Sequence, residues 1–247
     1  MTTAVTVTRM NKAVKSNSGG EMKLRAAAIT KKLKDMYPSA ECSLRYQSDC
    51  NDAAWRLLIM ARLSAQCTDA RVNIVCETLF AEYPDAAAMG AADITALEDI
   101  VRPCGLYHVK AHDIKAISQM IAGDFGGVVP DTMEELLSLP GVGRKIANLI
   151  LGDIYSIPGV VTDTHCIRIC RRFGFYDDNV KAPGAVEKII AGLIEPCEQT
   201  DFCHRLVLFG REICTARSPR CDKCPLYEYC DAHGDKSAQN GEARDVM

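Results

Sequence analysis

Apolar residues recur at three- and four-residue steps along most of the chain, and this periodicity limits the possible folds more than any other feature. Trp55, Leu58, Ile59 and Leu63 form one such series, and residues 186–194 form another. A period near 3.6 residues indicates helices that bury one face. Runs of alternating apolar and polar residues, which are typical of strands, are almost absent. The sequence therefore predicts an all-α fold.

Residues 131–151 predict two helices joined by a tight turn. Thr132 and Glu135 are spaced as a capping box at the start of the first helix, and Pro140 ends it. The turn consists of Gly141, Val142 and Gly143. Two helices joined in this way form a helix-hairpin-helix, whose second helix presents N–H groups that suit a DNA phosphate. The segment alone leaves a phosphate-binding hairpin and a plain interhelical turn equally open.

Two residues near this hairpin are candidates for chemistry. Lys145 is the second residue of the second helix; a lysine there is usually solvated and protonated, and as a nucleophile it needs desolvation or a nearby cation. Asp163, followed by Thr164, is a good N-cap for the next helix. A carboxylate at a helix start can also face a cation that develops during a reaction, so both roles are compatible.

The chain has 13 cysteines and no continuous apolar core of a secretory signal near its first residue. We therefore expect a reducing compartment, with the cysteines buried in the core or bound to metal. Four of them follow one another with six, two and five residues between: Cys214, Cys221, Cys224 and Cys230. Zinc sites usually use two separated Cys-x-x-Cys pairs. The spacing leaves zinc open but favours an iron–sulfur cluster.

Net charge does not exclude a nucleic-acid partner, although the total is −3. Residues 1–40 hold eight Lys and Arg against two acidic residues, a local charge of +6. Binding to phosphates needs a local basic face rather than a basic total. No apolar run approaches the roughly 20 residues that cross a bilayer.

The segment LPGVGRKIAN (Leu139–Asn148) is followed, 18 residues after its lysine, by Asp163 in the segment TDTH. This pairing resembles the endonuclease III family of the helix-hairpin-helix DNA glycosylase superfamily. The cysteine spacing and the segments LSAQCTD (residues 63–69) and GLYHVKA (residues 105–111) are similar to further motifs of that family. The resemblance extends over roughly residues 22–230 in one collinear order.

The resemblance implies a role for each matching residue. Lys145 would attack C1′ of the damaged nucleotide and form a Schiff base, while Asp163 would assist base departure and the later proton transfers. Gln66 and Leu106 would enter the base stack from two loops and fill the gap left by the flipped nucleotide.

The family's cysteine signature implies that the four spaced cysteines hold a [4Fe–4S] cluster with a mainly structural role. The loop between the first two ligands contains Arg217 and Arg220, and the resemblance implies that the cluster shapes it for phosphate contact. On the residues alone, a solvated loop is equally well supported.

The resemblance also implies two all-α lobes with a DNA groove between them. Residues 47–157 form a central lobe with the hairpin and both wedge residues, and residues 22–46 pair with 158–230 in a discontinuous lobe that carries the cluster. Residues 1–21 are expected to be a disordered leader and residues 231–247 a flexible tail.

The expected activity is that of a bifunctional DNA glycosylase and AP lyase of base excision repair, which removes oxidised pyrimidines from duplex DNA and cuts the strand by β-elimination. Three positions, Arg62, Ile146 and Thr162, differ from the residues that are usual in the family motifs, and these differences leave the substrate range open. The alternatives are a monofunctional mismatch glycosylase of the same superfamily, whose members lack the lysine, and a non-enzymatic iron–sulfur protein that binds duplex DNA. We expect a monomer that binds double-stranded DNA with a damaged base or abasic site in a bacterial-type, nucleoid-associated cytoplasmic setting.

Overall fold

The computed structural model describes residues 19–46 and 52–232, which contain eleven α-helices and no strand. The all-α prediction is confirmed. The helices are α1 (Gly19–Met36), α2 (Ala53–Leu63), α3 (Asp69–Glu82), α4 (Ala86–Ala91), α5 (Ile94–Val101), α6 (Tyr107–Gly123), α7 (Met133–Ser138), α8 (Arg144–Asp153), α9 (Thr164–Arg172), α10 (Pro183–Leu193) and α11 (Gln199–Glu212). Short 3-10 turns lie at Arg102–Cys104, Pro196–Glu198, Cys221–Lys223 and Tyr227–Tyr229.

Side-chain caps begin several of these helices. The side chain of Asp85 accepts a hydrogen bond from the N–H of Ala88 at 2.7 Å, and that of Asp93 accepts one from Ala96 at 3.0 Å. Each bond satisfies one of the backbone N–H groups that a helix start leaves unpaired, at about 1 kcal/mol per cap. The short helices α4 and α5 therefore begin where their sequences place an aspartate.

The apolar periodicity corresponds to buried helix faces. Trp55, Leu58, Ile59 and Leu63 of α2 are all at most 2% exposed. In α10 the buried members of the series are Val186 and Ile190. Burying one such side chain contributes about 1.5–3 kcal/mol, so these faces fix how the helices pack.

Contacts sort the helices into two groups. Helices α2 to α6 pack on one another, with α7 and α8 joined to them through α2, while α1, α9, α10 and α11 pack together. Helix α8 contacts both α2 and α11 and so lies where the groups meet. We propose, on these contacts, the division into a central and a discontinuous lobe.

The expected leader and tail fall mainly on residues outside the described ranges, which omit 1–18, 47–51 and 233–247. Helix α1 begins at Gly19, three residues inside the expected leader. At the other end Asp231 forms an ion pair with Arg25 at 2.7 Å. The described residues therefore include the last three residues of the expected leader and the first two of the expected tail. None of the described helices has the length and apolar character needed to cross a membrane.

Candidate active site

The hairpin of α7 and α8 is built as its sequence predicts. The Thr132 hydroxyl accepts from the N–H of Glu135 at 3.3 Å and donates to the Glu135 carboxylate at 2.6 Å. In the turn, the N–H of Val142 donates to the Leu139 carbonyl at 3.2 Å, and the Val142 side chain is buried. Gly143 faces open space at the start of α8. The turn is thus anchored to the core by valine and open to a partner at glycine.

Gly141 needs to be glycine for two reasons. Its φ of +69° lies in the left-handed region. A Cβ atom there would also collide with the side chains of Arg62 and Asp113, which form an ion pair beneath the turn. Arg62, one of the residues that differ from the family motifs, therefore supports the hairpin.

Lys145 and Asp163 line the same cleft, which has a volume of about 790 Å³. Lys145 projects from the first turn of α8, and Asp163 is the N-cap of α9, where it accepts from the N–H of Cys166 at 2.7 Å. The predicted cap is confirmed. The structure brings the two candidate residues to one surface, although they come from different helices.

The surroundings of Lys145 differ from the water-poor cleft that its expected chemistry requires. The side chain is exposed, and within the described residues its ammonium has no hydrogen bond or ion pair. The adjacent Arg144 instead pairs with Glu187 at 2.8 Å. Burial acts to raise the pKa of Glu187, but hydrogen bonds from Arg144 and Asn148 outweigh it and lower that pKa. Glu187 therefore neutralises Arg144, whereas the neighbouring Lys145 has no such partner in the part of the chain that the structure describes.

Histidine side chains complete the cleft wall. Burial lowers the pKa of His165, which stands next to Asp163. His204 also lines the cleft, and its Nε2 contacts Asp153 Oδ1 at 2.7 Å. The thiol of Cys42 joins this pair, with all three ligand atoms within 4.8 Å of one another. Sequence reasoning missed this cluster, because its members come from segments far apart in the chain.

Both predicted wedge residues adopt backbone conformations that non-glycine residues rarely occupy. Gln66 has φ +54° and lines the cleft, and Leu106 has φ +50°. The Leu106 side chain is 58% exposed, a high value for leucine, and it does not line the cleft itself. The left-handed conformation costs a non-glycine residue about 1–2 kcal/mol. Contacts with the rest of the fold therefore hold both loops in these conformations.

The four spaced cysteines converge at the end of the described chain. Burial raises the pKa of the Cys224 thiol to about 11, and the neighbouring Cys214, Cys230 and Cys221 act in the same direction. Four thiols gathered in one place form an all-sulfur donor set, which is the kind that binds an iron–sulfur cluster.

Arg172 holds the loop between the first two of these cysteines. Its guanidinium donates to the Cys214 sulfur at 3.1 Å and to the Thr215 carbonyl at 2.9 Å. Arg217 and Arg220 are exposed on the same loop. The loop is thus fixed from inside by one arginine and presents two others to solvent.

These features define a helix-hairpin-helix protein with a four-cysteine iron–sulfur loop. The model for the HhH-GPD superfamily base excision DNA repair protein matches residues 59–196, and that for the iron-sulfur binding domain of endonuclease III matches residues 214–230. The chain belongs to the endonuclease III family and is a bifunctional DNA glycosylase and AP lyase of base excision repair with a [4Fe–4S] cluster.

Individual relatives support this membership over most of the chain. The endonuclease III of Bacillus subtilis (strain 168) is 39% identical over 212 residues, which cover 85% of this chain and 93% of the relative. A non-covalent endonuclease III–DNA complex superposes with a TM-score of 0.81 at 35% identity, covering 87% of this chain and 98% of that one. A trapped endonuclease III–DNA covalent intermediate, the estranged-adenine complex, gives the same TM-score, identity and coverage.

Proposed function

We propose that Lys145 is the nucleophile of this enzyme, that Asp163 is its proton-transfer group, and that oxidised pyrimidines in duplex DNA are its substrates. One observation carries the proposal: a lysine amine without a partner among the described residues and a helix-capping carboxylate line one open cleft. A similar endonuclease III has been trapped as a covalent intermediate with DNA, which supports a covalent route.

The first step requires a neutral amine. Lys145 is exposed in the protein alone, so the bound nucleotide has to exclude water and promote loss of the proton. One oxygen of Asp163 accepts from the N–H of Cys166, which fixes the carboxylate while its other oxygen stays available to the cleft. The carboxylate can then accept the ammonium proton and pass it on.

The bond changes follow from this arrangement. The Lys145 nitrogen bonds to C1′ as the glycosidic bond breaks, and the base leaves with that electron pair and takes up a proton. Loss of a proton from nitrogen and opening of the C1′–O4′ bond, with protonation of O4′, gives the Schiff base. Removal of a C2′ proton then expels the 3′ phosphate with the electron pair of the C3′–O bond. Asp163 exchanges protons in these steps.

Other residues position the duplex. We assign phosphate binding to the hairpin turn of Gly141, Val142 and Gly143, whose open side is Gly143 at the start of α8. Arg217 and Arg220 bind a further stretch of backbone through their exposed side chains.

We assign the gap-filling role to Gln66 and Leu106, which stand on two strained loops. When bound, the cluster supplies cross-links between Cys214, Cys221, Cys224 and Cys230 and takes no part in the bond changes. We further propose that the protein is a monomer and that it acts in a bacterial cytoplasm, close to the chromosome.

Borohydride trapping on a duplex with one oxidised pyrimidine tests the nucleophile. Wild type should form a covalent adduct, and Lys145→Gln should form none above background while binding the duplex and keeping its cluster. Lys188→Gln is the matched control, because Lys188 is exposed on α10 and does not line the cleft. An undiminished adduct with Lys145→Gln would place the nucleophile elsewhere. If wild type forms no adduct, the protein is either a glycosylase without a covalent step or a protein that only binds duplex DNA.

A further inference from the structure

The side chain of Lys110, on the first turn of α6, is fully buried. Its ammonium donates to the carbonyl of Leu63 at 2.8 Å and to the carbonyl of Cys104 at 2.8 Å. Burial lowers the pKa of this amine, so the protonated form depends on these oxygen acceptors. A buried lysine is uncommon, and this one is used by none of the chemical steps above.

Both acceptors are the last residues of helical segments. Leu63 ends α2, and Cys104 ends the 3-10 turn Arg102–Cys104. Carbonyls at helix ends have no partner within the helix and carry partial negative charge. The Lys110 ammonium thus binds the carbonyls at the ends of two helical segments, at positions 63 and 104, which are 41 residues apart in the chain.

The same two ends lead directly into the strained loops. Gln66, with φ +54°, follows Leu63 by three residues, and Leu106, with φ +50°, follows Cys104 by two. The backbone N–H of Lys110 also donates to the Leu106 carbonyl at 3.1 Å. Left-handed non-glycine residues persist where surrounding contacts hold them, and Lys110 supplies such contacts to both loops.

We infer that Lys110 is a positioning residue, whose ammonium sets the relative placement of the Gln66 and Leu106 loops so that both side chains enter the base stack together. The inference rests on the proposed wedge role of these two residues. Without the ammonium, each loop would relax separately, and a displaced wedge would leave the flipped state poorly filled. Sequence alone shows only a lysine within GLYHVKA, because its acceptor at Leu63 lies 47 residues away.

A fluorescence experiment measures insertion of the Gln66 and Leu106 side chains into the base stack independently of the chemical steps. The probe is a duplex with a tetrahydrofuran abasic analogue opposite 2-aminopurine, which has no reactive C1′ for Lys145. Wild-type holoprotein should raise the fluorescence as the opposite base loses its stacking. Lys110→Met, which keeps the stem and removes the ammonium, should lose this rise, as Leu106→Ala should. Lys115→Met is the matched control, because Lys115 lies on the same helix but donates to the Ala92 carbonyl at 2.7 Å; it should keep the rise.

Kinetics separate positioning from general damage to the fold. Lys110→Met should lower kcat/KM on lesion-containing duplex by about 10- to 100-fold, the range expected for a small misplacement. Borohydride trapping at a preformed abasic site in single-stranded DNA, where there is no gap to fill, should be unchanged. The triple variant Lys110→Met/Gln66→Ala/Leu106→Ala should be no slower on duplex than Gln66→Ala/Leu106→Ala, because both wedge side chains are already absent.

A full fluorescence rise with folded Lys110→Met would overturn the inference, as would a further loss of rate when Lys110→Met is added to Gln66→Ala/Leu106→Ala. If Lys110→Met loses its brown colour and helical signal, Lys110→Gln, which keeps an amide donor, is used in its place. Lys110→Gln should give a smaller fluorescence rise than wild type. A rise equal to that of wild type would again overturn the inference. Absence of a rise with wild type, while abasic sites are still trapped, would remove the wedge role and this inference but leave Lys145 in place. Loss of trapping as well would remove the proposed function.

Discussion

At the scale of single residues, Asp163 combines a structural and a chemical duty. One of its oxygens caps α9 through the N–H of Cys166, and the carboxylate lines the cleft with Lys145. The cap restricts the side chain to one orientation, which a proton-transfer group needs if it is to face the reacting nucleotide. The cap was predictable from an aspartate before a helical segment, because capping is local. The meeting with Lys145 depends on tertiary packing and came only from the family resemblance.

The two duties of Asp163 can be separated by substitution. Asp163→Asn keeps an oxygen for the cap and should retain the melting temperature, while glycosylase turnover falls by about 10²–10⁴-fold with loss of proton transfer. Asp163→Ala should show the same loss of turnover and also lose about 1 kcal/mol of unfolding free energy. Asp93→Ala removes a comparable cap from α5, away from the cleft, and should lower stability by a similar amount with unchanged turnover. Full turnover in Asp163→Asn would exclude the carboxylate from the reaction.

At the scale of secondary structure elements, the hairpin shows which features a sequence reveals and which it does not. The capping pair Thr132 and Glu135 was predictable because its members are three residues apart. The Arg62–Asp113 pair beneath Gly141 was not, because 51 residues separate its members and no local pattern links them. Lys110 was missed for the same reason: burial of a lysine depends on acceptors that only the folded chain assembles.

Gly141→Ala tests how tightly the hairpin turn is packed. The substitution places a Cβ atom against Arg62 and Asp113 at a left-handed position, so we expect about 1–3 kcal/mol less unfolding free energy and weaker duplex binding. Gly123→Ala, at the end of α6 with open space around it, should change stability by no more than about 0.5 kcal/mol. Urea unfolding and binding to a lesion-free duplex measure the two effects. Equal stability of both variants would show that the turn yields without cost.

At the scale of the whole molecule, the cysteine loop links distant parts of the chain. Arg25 on α1 pairs with Asp231 at 2.7 Å, and Lys32 pairs with Glu228 at 2.7 Å. Arg172 of α9 donates to the carbonyls and the sulfur at the start of the loop. Exposed ion pairs contribute little on their own. The short turns Cys221–Lys223 and Tyr227–Tyr229 bury none of their own side chains, so we expect this part of the molecule to depend on its cluster for stability.

Removing one cluster ligand should therefore disrupt this end of the molecule. In Cys224→Ser the bound iron and brown colour should be lost, the melting temperature should fall and the folded yield should decrease, because cluster binding and folding are coupled. Cys197→Ser is the matched control: Cys197 is an exposed cysteine on the Pro196–Glu198 turn, so this change should leave iron content unchanged and stability within about 0.5 kcal/mol of wild type. Iron analysis, visible absorbance and circular dichroism melting measure these outcomes. A colourless, zinc-containing wild-type protein would instead show that the four thiols bind a single metal ion.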